Sequence, residues 1–184
     1  VQYDVVDLIM QDHREVERLF DELKNHPEKR PLLTPVLCGL LVAHSRAEES
    51  EVYPVAKDEA GETDEVEHSQ EEHAQAERLL AELLDCEYDS PQYDQKLQKV
   101  VEAVTHHVEE EEKTVLPGMR KGLSAERRYQ LGERFARSRA DHLGEMPGEA
   151  TKEELLVQAR NLGVEGAAGM SKEQLKRELQ KAGK

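Results

Sequence analysis

One short pattern of histidine and glutamate occurs twice in the chain. His44, Glu48, Glu49, Val52, Tyr53 and Pro54 match His107, Glu111, Glu112, Val115, Leu116 and Pro117, giving H-x3-E-E-x-x-V-[YL]-P at an offset of 63 residues. Upstream, Asp12-His13 with Glu17, Arg18, Leu19, Glu22 and Leu23 matches Glu72-His73 with Glu77, Arg78, Leu79, Glu82 and Leu83, at an offset of 60. Imidazole and carboxylate without thiolate suit iron, manganese or zinc in the divalent state, and non-haem iron well. If these groups face inward, two buried carboxylates would each be costly, and facing one another they would not both stay charged. A dication, or a pair of them, removes that difficulty. The count favours two ions. Glu48 and Glu111 as bridges, with two histidines per ion, give each ion four protein contacts. A bridging oxo or hydroxo group makes a fifth and leaves one position open.

Helices must place these side chains. At about 100° per residue, positions 3, 4 and 7 apart share a stripe. His13 shares one with Val6, Ile9, Val16 and Phe20, and His44 with Leu37, Leu40 and Leu41. His73 lines up with Val66, Ala76 and Leu80, and His107 with Val100, Val104 and Glu111. Each histidine therefore points toward an apolar centre, one per helix, with Glu48 and Glu111 one turn further along. The periodicity predicts helices over about 4–24, from Pro31 to Pro54 or slightly beyond, over 64–85, and from Gln92 to a point before Pro117-Gly118. Nothing alternates with period two, so the expected class is all-α, an up-down-up-down four-helix bundle. The repeat implies a pseudo-twofold axis relating the histidines in pairs. Ferritin-like di-iron bundles use Glu-x-x-His, the reverse order, and fit less well.

A fifth helix, about 125–142, is rich in arginine and is expected to pack against the outside of the bundle. Gly144–Gly148 reads as a linker. Beyond it, Thr151-Lys-Glu-Glu-Leu155 recurs as Ser171-Lys-Glu-Gln-Leu175, two capping boxes that predict a small helix–extended–helix unit. The expected organisation is 1–120 for the bundle and its di-metal site, 121–148 for the extra helix and linker, and 149–184 for the small unit.

The 184 residues are 35% charged and 4% aromatic, with a net charge of −15. That charge argues against a chain-wide nucleic-acid surface. Residues 151–184 carry +2 and the remainder −17, so tail and body differ in kind. No apolar run is long enough to cross a membrane, and the polar Val1–Asp7 shows no signal-peptide pattern. Cys38 and Cys86 make no disulfide framework and read as thiols of a reducing cytoplasm.

The layout D/E-H…H-x3-E-E…P…E-H…H-x3-E-E…P resembles the hemerythrin-like HHE cation-binding domains over about residues 4–120. That resemblance implies an oxo- or hydroxo-bridged di-iron centre held by His13, His44, Glu48, His73, His107 and Glu111, with iron favoured over manganese or zinc. It also implies small-molecule chemistry with O2, peroxide or nitric oxide. A catalase-like handling of peroxide leads. An O2, NO or iron sensor signalling through the tail is the alternative. Oxygen-carrying members have a fifth histidine four residues before the one matching His73, and Ser69 stands there instead. His68 is a further candidate ligand, although it lies about 140° around the helix. The missing histidine counts against O2 storage and suits redox turnover. His106 points off the apolar stripe and reads as a surface residue or a support behind the ligands. Tyr53 is a candidate to bring a phenolic oxygen near the metals, but its helical phase is unfavourable and core or surface packing is the leading expectation. Glu49 and the companions of Glu111 in Glu109–Glu112 are expected on solvated faces, and His26 and His142 at helix ends. The tail pattern T-K-E-E-L…A-R-N-L-G-V-E-G…M-S-K-E-Q-L resembles Rho N-terminal-like or SAP-like modules. This implies weak nucleic-acid or protein contacts through residues 149–184, with Lys152, Arg160, Lys172, Lys176 and Arg177 available for phosphate.

Overall fold

The computed structural model describes residues 3–182; the outermost residues of the expected first and last units, 1–2 and 183–184, lie outside it. Helix α1 spans Val5–Asn25, where the Asp4 carboxylate accepts the Val6 N–H at 2.9 Å and caps the first turn. Helix α2 spans Arg30–Ala47 and runs through a π-helical turn, Glu48–Val52, into α3, Tyr53–Ala60. Gly61, at φ 70, closes that rod in the left-handed conformation that glycine adopts without strain. Helix α4 spans Thr63–Leu84. Helix α5, Pro91–Lys113, is capped by Ser90, and α6 follows at Val115–Gly122. Helix α7 covers Ala125–Asp141, α8 Lys152–Asn161 and α9 Lys172–Ala182. No strand occurs among the described residues, and no helix there is long and apolar enough to cross a membrane.

Four antiparallel rods, α1, α2–α3, α4 and α5–α6, form the expected bundle. The second rod runs beyond Pro54 to Ala60, and the fourth helix ends at Lys113, before Pro117-Gly118, with α6 continuing its rod after a break at Thr114. Proline lacks an N–H and its ring crowds the carbonyl four residues earlier, so it favours a first-turn position or a widened turn, although Pro35 lies inside α2. Pro117 lies in the first turn of α6. Pro54 follows the π turn, whose end is marked by the Tyr53 N–H bonding the Glu48 carbonyl five residues back.

The interior consists of two apolar layers. Val5, Ile9, Ala47, Val52, Val66, Val115, Leu116 and Met119 fill one end of the bundle. Val16, Leu19, Phe20, Leu37, Leu41, Leu80, Leu83, Leu97, Val100 and Val104 fill the other. The four repeat histidines lie at the boundary. Burial of these side chains, each contributing about 1.5–3 kcal/mol, holds a polar belt that could not be buried alone.

Helix α7 packs on α1 and α2, burying Leu131 and Phe135. A Cβ on Gly132 would lie 2.0 Å from the Tyr3 carbonyl oxygen, so only glycine allows this approach. The tail holds a small core of its own, Ala150, Leu155, Ala159, Ala167, Leu175 and Leu179. Both capping boxes form: Thr151 with Glu154, and Ser171 with Gln174. Helices α8 and α9 pack on α4, and α8 also packs on the π turn.

Candidate metal centre

The structure brings all six repeat residues together. Glu48, His73, His107 and Glu111 form one group of donor atoms within 4.8 Å of one another, and His13, His44 and Glu111 form a second. Glu111 belongs to both. Its Oε1 lies 3.3 Å from His13 Nε2, and its Oε2 lies 3.5 Å from His107 Nε2. Glu48 Oε1 likewise lies 2.7 Å from His44 Nε2 and 3.6 Å from His73 Nε2. Both carboxylates are fully buried, and each faces histidines from two rods.

Behind each imidazole stands a carboxylate. His13 Nδ1 is 3.1 Å from Glu112, His44 Nδ1 2.7 Å from Asp12, His73 Nδ1 3.0 Å from Glu49 and His107 Nδ1 3.2 Å from Glu72. An ionised carboxylate only accepts, so each Nδ1 donates and each Nε2 is the nitrogen directed inward, the one a cation would take in place of a proton. The arrangement obeys the repeat: Asp12 corresponds to Glu72 and Glu49 to Glu112. The expectation of solvated faces fails for Glu49 and Glu112. Glu49 is buried, accepting from Gln70 at 3.2 Å and Gln158 at 2.9 Å.

These donors fit a cation. Nine buried side-chain nitrogen or oxygen atoms lack a hydrogen-bond partner among the described residues. Five of them are His13 Nε2, His44 Nε2, both oxygens of Glu48 and Oε1 of Glu111. Unpaired buried polar atoms are rare because each forfeits its hydration. Here they converge on one volume, close together yet badly angled for hydrogen bonds to one another. The electrostatics agree. Burial pulls the His44 imidazole down, but Glu48 and Asp12 outweigh it and raise its pKa to about 10. Burial opposes His13 and His73 as well, yet Glu111 and Glu49 push them up. Burial alone would raise the Glu111 carboxyl, but His13 and His107 hold it well below the usual range. The pocket attracts positive charge.

Tyr53 is the main departure from the sequence reading. It is fully buried, its hydroxyl donates to Glu111 Oε2 at 2.7 Å, and its oxygen lies 3.0 Å from His73 Nε2. The π turn accounts for this. It adds about one residue to the rod, which rotates everything beyond it by roughly 100° relative to an unbroken α-helix. Burial, with Glu111 and Glu48 nearby, pushes the phenol well above its ordinary range, so it keeps its proton.

His68 and His106 remain outside the inner group. Both are mostly exposed and flank Glu72, with Nε2–carboxylate distances of 3.7 and 3.4 Å. His26 and His142 cap helix ends, as expected. The arginine-rich α7 does more than cover the bundle. Phe135 stacks edge-on against His44 with ring centroids 5.5 Å apart, and Arg139 is bonded to Asp12. On another face Asn161 donates to the Glu49 carbonyl at 2.9 Å and to Gln70 at 3.1 Å. The buried Arg46 joins Glu77 at 2.7 Å to Glu154 at 3.0 Å. The repeat holds no signal for α7 or the tail, because neither has a counterpart in the other half.

A cavity of ≈30 Å³ adjoins the imidazoles, walled by Val16, Leu41, Leu80, Val104 and Val108. One water fills about 10–15 Å³ of such space, so a molecule of about two or three non-hydrogen atoms fits.

A protein from Nostoc sp. (strain PCC 7120 / SAG 25.82 / UTEX 2576) described as a DNA nickase is 29% identical over 149 residues, 80% of this chain and 42% of that protein. The chain thus spans less than half the length of that relative. No solved structure matches it. The family model described as Hemerythrin HHE cation binding domain matches residues 4–118. That span runs from the cap of α1 into α6 and takes in all six inward side chains, and the chain belongs to this family of metal-binding bundles.

Proposed function

We propose that His13, His44, His73, His107, Glu48 and Glu111 hold two iron ions and that the protein is a non-haem redox protein consuming hydrogen peroxide. When bound, the iron pair would supply Lewis acidity and two exchangeable electrons. The balanced reaction takes two peroxides: one is reduced to two waters, and the other is oxidised to O2. The chain's own groups support this reading. The cavity beside the imidazoles has room for a molecule of peroxide's size. Tyr53 keeps a proton on its hydroxyl next to Glu111, within reach of the volume the ligands enclose. The Nδ1 carboxylates fix all four imidazoles in one tautomer.

The observation that carries the reading is the convergence of five unpaired buried donor atoms beside a cavity with room for a molecule of about two non-hydrogen atoms. The test is anaerobic reconstitution with iron followed by peroxide. Many O2 released per protein, with slower release from Tyr53→Phe at unchanged iron content, supports the proposal. A single stoichiometric reaction overturns it.

A second reading, a sensor of O2, NO or iron, is supported by the contact of Gln158 and Asn161 with Glu49, which backs His73. In that reading residues 149–184, as a Rho N-terminal-like or SAP-like module, pass occupancy of the centre to a partner. The +2 charge of the tail and the DNA nickase relative make nucleic acid the partner to test. Unchanged protease sensitivity of the tail across metal-free, ferrous and oxidised protein would remove this reading.

A further inference from the structure

His68, Glu72 and His106 form a second cluster on the solvent side of His107. His68 and Glu72 are one helical turn apart on α4, the same His-x3-Glu spacing as the inner pairs, and His106 reaches across from α5. Their donor atoms lie within 4.8 Å of one another. Both imidazoles are more than half exposed, whereas the Glu72 carboxylate is buried to 9% exposure. Its Oε1 also meets His107 Nδ1 at 3.2 Å.

The pseudo-twofold repeat provides a comparison within the same molecule. The counterpart of Glu72 is Asp12, which backs His44 as Glu72 backs His107. Asp12 has a permanent cation outside it, the Arg139 guanidinium from α7. At the positions of His68 and His106 that half carries Leu8 and Ala43, both buried. Among the described residues the second half has no equivalent of α7 over Glu72 and instead presents two imidazoles. One acid is thus neutralised by a fixed charge. The other is framed by ligands that can take an exchangeable one. Two imidazoles and a carboxylate on one side of an ion are the donor set that suits a divalent first-row metal, with water completing the shell. Donors about 3 Å apart would be needed for bonds of ordinary length, and rotations of two solvent-facing rings supply the difference.

We propose that His68, Glu72 and His106 form a third site, facing solvent, for a divalent transition-metal ion. The ion is linked through Glu72 to His107 and so to the inner centre. The site uses none of the six inner residues as ligands and stands apart from the identity of the inner metals.

The test uses the full chain supplied with ferrous iron, desalted, and then dialysed against zinc. Iron and zinc are both measured by elemental analysis in the wild type and in the His68→Ala/His106→Ala double variant. The variant removes two exposed rings, and an unchanged helical spectrum and melting profile checks its fold. His106→Gln alone, which keeps the residue polar, is measured beside it and should weaken zinc uptake by at least tenfold in dissociation constant. The expected result is one zinc fewer in the double variant at equal iron content. Equal zinc uptake in both proteins overturns the proposal. Iron absent from both, with the difference of one zinc retained, would instead sink the inner reading while upholding this site.

Discussion

The two halves of the repeat hold the same histidines and surround them differently. In each half an acid from the first helix backs the histidine of the second: Asp12 behind His44, Glu72 behind His107. Between the halves, an acid from the second-helix motif of one backs the first-helix histidine of the other: Glu49 behind His73, Glu112 behind His13. Asp12 and Glu49 are sealed, one by Arg139 of α7 and the other by Gln158 of α8. Glu72, as buried as Asp12, is flanked by the exposed rings of His68 and His106, and Glu112, 21% exposed, by the exposed Arg14. The repeated residues therefore make the centre, and the unrepeated ones decide which of its faces are closed.

That division can be broken most sharply at the imidazoles. If the halves are equal where they meet the ions, His44→Ala and His107→Ala should lose metal alike. The loss should exceed the roughly 10–100-fold that partners behind a ligand carry. Melting temperatures of iron-supplied protein should fall with it, because binding to the native state is linked to folding. Unequal losses of iron would show that one half alone holds metal.

At the acids the halves should separate. Glu49→Gln and Glu112→Gln should each weaken metal binding about 10–100-fold. Only Glu49→Gln should also destabilise the metal-free protein in urea, by about 1–3 kcal/mol, because it disturbs buried partners. Glu112→Gln, at a partly buried position whose second partner is the exposed Arg14, should cost the metal-free protein less than Glu49→Gln does. The smallest expected effect on metal binding is that of Gln158→Ala with Asn161→Ala. It should leave the six ligands in place and expose the 142–151 connection to protease. Unchanged cleavage would mean that the tail is held by its other contacts, Arg46 with Glu154 and Lys57 with the Arg160 carbonyl.

Much of this could be read from residue order. A pattern repeated at offsets of 63 and 60 specifies four rods, and a 3.6-residue period turns four histidines toward one axis. The supporting acids were legible too, since Asp12-His13 matches Glu72-His73 and Glu48-Glu49 matches Glu111-Glu112. Their role was missed because runs of glutamate resemble a solvated face, and only the packing of neighbouring rods shows which of them are enclosed. Tyr53 was misread for a different reason. Phase counted at 100° per residue assumes an unbroken α-helix, and the π turn before Pro54 violates that. The proline was the available signal, because it disfavours an unbroken helix across the preceding turn. Phe135, Arg139, Gln158 and Asn161 occur once each, in segments whose docking depends on long-range contacts, and no local pattern marks them.

The central claim is that Nε2 of His13, His44, His73 and His107, with Glu48 and Glu111, enclose a pair of ions between the two apolar layers. Anomalous scattering at the iron edge from crystals of iron-supplied protein tests it most directly. Two peaks, each within bonding distance of two of these imidazoles and bridged by the two carboxylates, are the predicted result. A map with no peak inside the belt, or with the four imidazoles turned away from it, would contradict the account.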